Sequence, residues 1–535
     1  MRAGIGLLGA LLAMQGGALA PQLADAAGWH QTDFLVGGFG VNNAPYHPER
    51  LVLLDRAGLD LVQGFDQRLP TGTILVGQLD SLRRALPDFR LRAILHDAPK
   101  GDDAGHLTGN VAPVAQWPAL RATLTRNPLD GGSTLGWCLW DEPSTRPQLD
   151  AIGELSRRMR RDPVAGGKIP YVNLLPIAPL GGGAGYLRDF GAGVDRRAAY
   201  AAYLDAYLSQ FDAEPEPAPL LCFDHYPFQH DGREAGDYFE NLEIARDRAV
   251  ARGRPGMRIP LWVVIQLAAF KPPGAPFMEG PTLAQVRWQA WTAVAYGAKS
   301  ISYWTTGTID DPAPRTGFRG GLLELNGRPT SKYAAIRTLN AELHALGPTL
   351  MRLDPVAVFH VAPGRQRVQP EDRIGDARRV YCVVSAVSGS GREDCLLGYF
   401  KEQGTGDDYL LVVNQSLARP RSFRIRLAVP ADSIARIDEQ NGRPRILSRR
   451  TSALDASVAP ASVGLYRISG PMIESLPGVR EVRTTGDGSI DYVVPAGVLR
   501  VNRASGVRSW VSVAAAAAGP DSLQITPEGV VRARR

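Results

Sequence analysis

Lysine, histidine and cysteine are scarce in this sequence of 535 residues. Only six of the 60 basic residues are lysines, and the arginines are spread along the chain without a basic stripe interleaved with aromatic residues. This distribution argues against nucleic acid as a partner, despite a formal net charge of +6. The sequence has only eight histidines and no H-x-H or H-E-x-x-H pattern, so a metal hydrolase has little support. If a metal were bound, His96 and Asp97 with His225 would be the candidate ligands. The serine-nucleophile motif G-x-S-x-G is also missing. We expect no metal and no cofactor.

Long hydrophobic runs are missing as well. No stretch after the N-terminus approaches the ~18 consecutive apolar residues that a membrane-spanning helix needs. At the N-terminus, Arg2 precedes the short apolar run Ile5–Met14, and Ala24-Asp25-Ala26 forms a cleavage signal. We therefore expect residues 1–26 to be a secretory signal peptide, with a retained membrane anchor as the alternative. The mature protein should be soluble and exported, to the bacterial periplasm or beyond.

The four cysteines fall into two classes. Cys382 and Cys395 are 395 − 382 = 13 positions apart and flank two strand-like runs joined by a Gly/Ser turn. In an oxidising compartment this pair is a predicted disulfide. Cys138 and Cys222 lie inside separate apolar strands and are predicted to be buried free thiols.

The first 350 residues alternate between strand-like and helix-like patterns. Eight short β-rich runs occur between Asp33 and Thr308, and the segments between them carry apolar residues at i, i+3, i+4 spacing. Such alternation predicts a parallel sheet, and eight units in about 300 residues predict a (β/α)8 TIM barrel. A doubly wound open sheet is the alternative, although the glycine-rich stretch "GGFGVNN" lacks G-x-G-x-x-G spacing.

The pattern changes after Leu350. Helical periodicity fades, and short strands separated by turn residues predict an antiparallel β-sandwich. We expect a barrel domain over residues 27–350 and a sandwich over 351–470. Residues 471–535 suggest further strands or a tail that the sequence does not assign.

Polar or aromatic residues stand at nearly every predicted strand end. The carboxyl ends of barrel strands meet at one face, where barrel enzymes carry their active sites. Carboxylates and amides bind hydroxyls, and aromatic rings cover the apolar faces of pyranoses, so this composition favours a sugar site. The predicted substrate-binding residues are Asn42, Asp66, His96, Asp97, Trp140, Asp141, Asn173, His225, Tyr226, Gln266, Tyr303 and Trp304.

The stretch "GWCLWDEPS" is the most informative of these strand ends, because a strongly apolar run leads directly into Asp141 and Glu142. Cleavage of a glycosidic bond needs one carboxylic acid to protonate the leaving oxygen and a second carboxylate as nucleophile or base. Partial burial after Trp137–Trp140 would raise the pKa of Glu142, which suits a general acid. The alternative is that the two acidic residues only stabilise the start of the next helix.

These strand ends resemble the clan of TIM-barrel glycoside hydrolases that includes cellulases and bacterial β-galactosidases. "WCLWDEP" resembles the clan's fourth strand end, where the Glu is the acid/base and the preceding residue contacts the sugar 2-hydroxyl. "AILHD", "DHYP" and "SYW" are similar to the third, sixth and eighth strand ends. The resemblance covers roughly Asp33–Pro348. It implies a TIM-barrel glycoside hydrolase, often followed by a β-sandwich, with a carbohydrate substrate and Glu142 as the acid.

One position departs from the clan. Its nucleophile is a Glu at the end of strand seven, where this sequence has Gln266. Asp224, Asp66 and Glu279 are the candidates for the missing carboxylate. We expect Asp224 to act as the base of an inverting glycosidase, with Gln266 helping to hold the water or the sugar. The alternative is that Asp224 only orients Tyr226.

The sequence thus predicts a glycoside hydrolase with Glu142 and Asp224 as catalytic residues. The alternative from another class is a barrel that binds glycans without cleaving them. The sugar, the linkage and the oligomeric state stay open at this stage.

Overall fold

The computed structural model describes most of the barrel and the domain that follows it. The described residues are 29–39, 47–63, 71–95, 117–118, 121, 132–163, 165–178, 189–191, 195–228, 236–254, 257–269, 280–307, 320–361, 384–405 and 407–469, with the strands given below beyond residue 480. The predicted signal peptide, residues 1–26, lies outside this set.

Eight parallel strands form a closed barrel. Their order is β5-β4-β3-β2-β1-β8-β7-β6. The parallel bridge Leu174–Phe223 and the 2.9 Å hydrogen bond from the Leu174 amide to the Cys222 carbonyl join β5 to β6. Because β1 also pairs with β8, the predicted TIM barrel is confirmed and an open sheet is excluded. The strands are β1 (Leu35–Phe39), β2 (Leu61–Gln63), β3 (Arg92–Leu95), β4 (Thr134–Asp141), β5 (Ile169–Asn173), β6 (Leu221–His225), β7 (Leu261–Gln266) and β8 (Ala298–Trp304).

Amphipathic helices surround this sheet. Two of them begin with a complete capping box, Thr145 with Gln148 and Thr282 with Gln285, which satisfies the first free amides of each helix. The described helices are α1 (Pro48–Arg56), α2 (Thr71–Ala85), α3 (Arg146–Arg161), α4 (Arg196–Leu208), α5 (Tyr238–Arg252), α6 (Leu283–Ala295) and α7 (Tyr333–Leu350).

The strand residues alternate between two cores. One set faces the helices and belongs to the large core that also includes the helix faces. The other set fills the barrel lumen and includes Leu61, Cys138, Tyr171, Cys222 and Trp262. Alternation with period two therefore decides which strand-end residues reach the lumen and which reach the helices.

The segment before β1 closes the floor of the lumen. The Trp29 ring contacts the Trp262 ring edge-on, with centroids 6.1 Å apart. Gln31 accepts a 2.8 Å hydrogen bond from the Trp262 indole and donates to the Asp33 and Lys299 carbonyls. A buried indole N–H needs such an acceptor, and Gln31 provides it. Gln31 and Trp29 together cover the amino-terminal end of the barrel lumen.

An antiparallel β domain follows the barrel. One face of its seven-stranded sheet encloses a core of its own, and the other face joins the barrel core through residues such as Leu396, Phe400 and Leu411. The sheet packs against α6 mainly through β11 and β12. This confirms the predicted antiparallel domain of sandwich type. Its strands are β9 (Leu353–His360), β10 (Val384–Ser388), β11 (Cys395–Glu402), β12 (Asp408–Asn414), β13 (Arg421–Ile437), β14 (Pro444–Val458) and β15 (Val463–Ser469).

The cysteines agree only in part with the sequence prediction. Cys138 and Cys222 are buried free thiols, as predicted. Cys395 is also a free, buried thiol, so the predicted bridge to Cys382 is not formed. Its side chain points into the core of the β domain among Leu397 and Tyr399, where it packs as a small apolar group. Cys382 lies outside the described residues.

Short strands continue toward the C-terminus. A four-stranded antiparallel sheet and a separate two-stranded one are formed by β16 (Glu481–Thr484), β17 (Ser489–Val494), β18 (Gly497–Asn502), β19 (Arg508–Ser512), β20 (Leu523–Ile525) and β21 (Val531–Ala533). In the part of the chain that the structure describes, no helix has the length and apolar character needed to cross a membrane.

Trp29→Ala tests the seal of the barrel floor. Because the Trp29 side chain is half-buried, we expect the free energy of unfolding to fall by about 2 kcal/mol, less than the roughly 3–5 kcal/mol of a fully buried tryptophan. Denaturant unfolding of the full chain measures this change. Leu86→Ala, at a residue that is 39% exposed, is the control and should change stability little. Equal effects of the two substitutions would contradict the role of Trp29.

Candidate active site

The carboxyl ends of three neighbouring barrel strands bring together the polar groups of the candidate site. Asp141 ends β4, Asn173 ends β5, Asp224 lies near the end of β6, and Glu142 follows Asp141 directly. All four were among the residues predicted from the strand ends. They form one cluster of three carboxylates around an amide.

A β-bulge aims Asp141 into the lumen. Between Cys138 and Trp140 the register of β4 shifts by one residue relative to β5, so that Trp140 lies opposite Val172 and Asp141 opposite Asn173. Without this extra residue, strict alternation after the lumen residue Cys138 would turn Trp140 inward and Asp141 outward. The Cys138 thiol bonds to the Trp140 carbonyl at 3.5 Å, within the bulge itself. Bulges commonly re-aim side chains in this way next to active sites.

The backbone of Glu142 has a left-handed conformation. Its φ is +53°, which is uncommon for a residue with a side chain and costs of order 1–3 kcal/mol. The Glu142 amide is held by a 2.8 Å hydrogen bond to the Asn173 carbonyl. The surrounding structure therefore stabilises a strained turn immediately after β4, and strain of this kind is concentrated at functional sites.

Glu142 is exposed as a whole residue, but its carboxyl is not in an ordinary surface environment. Its side chain is exposed, while the surrounding protein displaces part of the solvent around the carboxyl. This partial desolvation, followed by the neighbouring charges of Asp224 and Asp141, raises the pKa of Glu142 well above its ordinary value. A carboxyl group in this environment retains its proton to a higher pH than a free glutamate.

Asn173 clamps the two aspartates. Its side-chain amide nitrogen donates to Asp141 Oδ1 at 3.0 Å and to Asp224 Oδ1 at 3.2 Å. An ionised carboxylate only accepts hydrogen bonds, so both N–H groups of this amide are used to hold the two like charges near one another.

Asp224 is the buried member of the cluster, with 4% of its surface exposed. Burial, and then the charge of Asp141, raises the pKa of Asp224 to about 7, although hydrogen bonds from Tyr226 and Asn173 oppose this shift. Tyr226 is partly exposed and adjoins the same carboxylates. Asp224 and Glu142 are thus two carboxyls with raised pKa values on residues of different exposure, one buried and one exposed.

Gln266 is enclosed at the end of β7. It is fully buried, and its Oε1 accepts a 3.3 Å hydrogen bond from the Phe228 amide, in the segment that follows β6. Gln289 on α6 brackets its backbone, accepting from the Gln266 amide at 2.9 Å and donating to its carbonyl at 3.0 Å. The described contacts of Gln266 therefore connect β6, β7 and α6.

Trp304 lies at the mouth of the lumen at the end of β8. It is partly exposed and contacts the ring of Phe39 at the end of β1, with centroids 5.6 Å apart. The peptide bond between Trp304 and Thr305 is cis. The Trp304 ring, packed on the buried Phe39 ring, provides an apolar surface at the same end of the barrel as the carboxylates.

Three predicted residues face the helices rather than the lumen, which corrects their predicted place in the pocket. Trp140 follows the bulge and packs in the outer core. The Tyr303 hydroxyl donates to Asn340 on α7 at 2.6 Å. His225 follows the lumen residue Asp224, so alternation turns it outward, where it bonds to Asp237 at 3.0 Å. The physical reason in each case is strand alternation, which the list of strand ends did not resolve.

Several predicted residues lie outside the described residues, namely Asn42, Asp66, His96, Asp97 and Glu279. Within the described residues, no group of three His, Cys, Asp or Glu side chains has the arrangement of a metal site.

Two lumen residues below the carboxylates were not predicted as part of a site. The Tyr171 hydroxyl lies 3.1 Å from Cys222 Sγ, and the Cys222 thiol donates to Asn173 Oδ1 at 3.8 Å. Their position two residues before Asn173 and Asp224, on the same strand faces, was the available signal.

Comparisons with known proteins give similar folds only. No family model and no curated protein sequence matches the chain. A β-galactosidase from Bacillus circulans sp. alkalophilus is 11% identical over 82% of this chain and 99% of that chain, with a TM-score of 0.47. A family 39 glycoside hydrolase from Bacteroides cellulosilyticus WH2 is 11% identical over 82% and 81%, with a TM-score of 0.41. A glucosidase from Croceicoccus marinus is 11% identical over 84% and 98%, with a TM-score of 0.39.

The chain thus resembles TIM-barrel glycoside hydrolases. At this identity, and with TM-scores below 0.5, the likeness carries no argument about activity.

Asp224→Asn tests the unusual environment of this carboxyl through stability. Since the folded state holds the Asp224 proton more tightly than the unfolded chain, Asp224 makes the protein less stable as pH rises from about 4 to about 7. Asparagine does not ionise. We therefore expect the melting temperature of the variant, relative to the unmodified protein, to increase over this interval. A difference that is constant between pH 4 and pH 8 would contradict the assignment.

Proposed function

We propose that this protein is a glycoside hydrolase in which Glu142 is the general acid and Asp224 the general base. The observation that carries the proposal is the pair of carboxyls with raised pKa values at the carboxyl end of a barrel. Glycosidic cleavage requires such a pair with different roles. Different environments for the two groups are how enzymes separate an acid from a base.

Glu142 suits the role of the acid. Glu142 is an exposed residue, which lets a glycosidic oxygen approach it, and its raised pKa keeps the proton available. The left-handed backbone, held by the Asn173 carbonyl, gives the side chain a defined direction. A general acid needs both the proton and the direction.

Asp224 suits the role of the base. Above a pH of about 7 it is ionised, and its hydrogen bonds from Asn173 and Tyr226 hold it in place. A base that activates water, rather than attacking the sugar, leads to inversion of the anomeric carbon. Gln266 carries no carboxylate and is fully buried, which supports a mechanism without a glycosyl-enzyme at the end of β7.

The remaining groups suit a sugar ring. Asp141 and Tyr226 offer oxygen atoms for hydroxyls, and the Trp304 ring offers an apolar surface. If the predicted signal peptide directs export, the substrate is an oligo- or polysaccharide of the periplasm or the cell exterior.

Glu142→Gln tests the acid. Hydrolysis of glycosides with poor leaving groups should fall by about 10²- to 10⁴-fold, because these substrates need the proton. Aryl glycosides with good leaving groups should be affected much less. Kinetic constants on both substrate classes measure the contrast. Glu393→Gln, at an exposed residue of the β domain, is the matched control.

Two outcomes would overturn the proposal. An unchanged rate for Glu142→Gln on poor leaving groups would remove Glu142 as the acid. Tight glycan binding without turnover of any glycoside would favour the alternative, a barrel that binds glycans and does not cleave them.

The pH profile tests the pair. kcat/KM should decrease as pH falls below about 7, where Asp224 becomes protonated, and decrease again at higher pH, where Glu142 loses its proton. Because the two carboxyls interact, both limbs belong to the pair. Glu142→Gln should lose the alkaline limb in the remaining activity on good leaving groups. An acid limb well below pH 6 would contradict the role of Asp224.

A further inference from the structure

We infer that Cys222 and Tyr171 are positioning residues that act on Asp224 through Asn173. The inference rests on the proposed function, since it concerns the base of that reaction. Among the described residues, no hydrogen bond joins either side chain directly to the carboxylates. They lie in the lumen layer directly below them, on β6 and β5.

The contacts form one continuous series of hydrogen bonds between β5 and β6, at the seam where the barrel closes. The Tyr171 hydroxyl is 3.1 Å from Cys222 Sγ. The Cys222 thiol bonds to Asn173 Oδ1 at 3.8 Å, within range for sulfur. The Asn173 amide nitrogen then bonds to Asp141 at 3.0 Å and Asp224 at 3.2 Å.

The donor and acceptor properties of these groups decide the direction of each hydrogen bond in the series. Ionised carboxylates accept only, so the Asn173 nitrogen faces them and its oxygen faces Cys222. The oxygen needs a donor, and the only hydrogen on the Cys222 sulfur goes to it. Tyr171 therefore donates its hydroxyl hydrogen to the sulfur. Every hydrogen in the series points toward the carboxylates.

Burial keeps the two donors protonated. Cys222 is 1% exposed and Tyr171 is fully buried. Burial raises the pKa of the Cys222 thiol and the pKa of the Tyr171 hydroxyl above their ordinary values, so neither loses its proton near neutral pH. The thiol thus keeps its hydrogen and is available as a donor to Asn173.

Removing the thiol hydrogen removes the donor to the Asn173 oxygen, while the two carboxylates still hold the amide nitrogen. With no donor opposite its oxygen, the amide of Asn173 is held less firmly and more often turns its oxygen toward Asp224. A nearby oxygen disfavours the ionised carboxylate, whereas an N–H favours it. The pKa of Asp224 should then rise further, and the base should be less available at neutral pH.

The test compares Cys222→Ala, Cys222→Ser and Tyr171→Phe in the full chain. Serine keeps a donor at the position, alanine removes it, and phenylalanine removes only the hydroxyl behind the thiol. Cys395→Ala, at a buried free thiol of the β domain, is the control for loss of a buried thiol. Thermal unfolding verifies that each variant is folded.

The first readout is independent of activity. The infrared carboxyl band that is lost in Asp224→Asn is titrated in each protein. We expect the midpoint of this band to move upward by about one pH unit in Cys222→Ala, by less in Tyr171→Phe, and to return close to the original value in Cys222→Ser. Cys395→Ala should not move it.

The second readout is the acid limb of the kcat/KM profile, whose midpoint should move in the same order among the variants. In Cys222→Ala, kcat/KM below pH 7 should fall by about tenfold. A midpoint that is unchanged in Cys222→Ala, or equally shifted in Cys222→Ser, would overturn the inference. If Cys222→Ala does not fold, Tyr171→Phe and Cys222→Ser still decide it by their order. If no glycoside is hydrolysed by the unmodified protein, the proposed function fails while the titration still tests the positioning.

Discussion

The Asn173 amide is the contact on which the candidate site depends. Two carboxylates in a protein interior repel each other far more than in water, because the local dielectric constant is low. Asn173 offsets this repulsion by donating one N–H to Asp141 and the other to Asp224. The backbone carbonyl of Asn173 also accepts a hydrogen bond from the backbone amide of Glu142. One residue at the end of β5 therefore positions all three acidic residues.

This arrangement lies at the seam where the barrel closes. The ladder between β5 and β6 is short, with a single bridge at Leu174–Phe223. The side-chain pairs Asn173–Asp224 and Tyr171–Cys222 continue the connection into the lumen. The seam thus combines few backbone hydrogen bonds with several polar side-chain contacts. Polar groups that would be costly in an apolar lumen are stabilised there because each finds a partner.

The backbone around Glu142 is strained, and the rest of the fold compensates for this strain. The bulge in β4 and the positive φ of Glu142 both depart from regular strand geometry. The continuous core that joins the barrel helices to one face of the β domain supplies the packing that tolerates these departures. The second domain therefore contributes to the stability of the barrel, and no contact of it with the carboxylates is needed for that role.

The sequence predicted the architecture and the identity of the clustered residues. Eight alternating units were sufficient for the barrel, and the apolar run before Asp141 identified the most unusual strand end. It did not predict which neighbours face the lumen. Trp140 faces outward because of a one-residue bulge, which leaves no mark in the hydrophobic pattern. The sequence prediction included two adjacent residues at a strand end, such as Asp224 with His225 or Tyr303 with Trp304. Only one of two adjacent strand residues faces the lumen, so His225 and Tyr303 face the helices instead.

Two other differences between the sequence prediction and the structure also depend on the direction and the long-range contacts of side chains. The spacing of Cys382 and Cys395 suggested a hairpin disulfide, but spacing alone does not say that Cys395 points into the domain core. The positioning pair Tyr171 and Cys222 appeared as ordinary core residues, because their role depends on contacts between strands that are 222 − 171 = 51 residues apart in sequence.

The stereochemistry of the first-formed product tests the central claim most directly. Proton NMR of the anomeric position during hydrolysis, recorded before mutarotation, shows whether the configuration is inverted or retained. A reaction in which Asp224 activates water and Glu142 protonates the leaving oxygen gives inversion. Retention of the anomeric configuration would contradict the account and require a nucleophile other than Asp224.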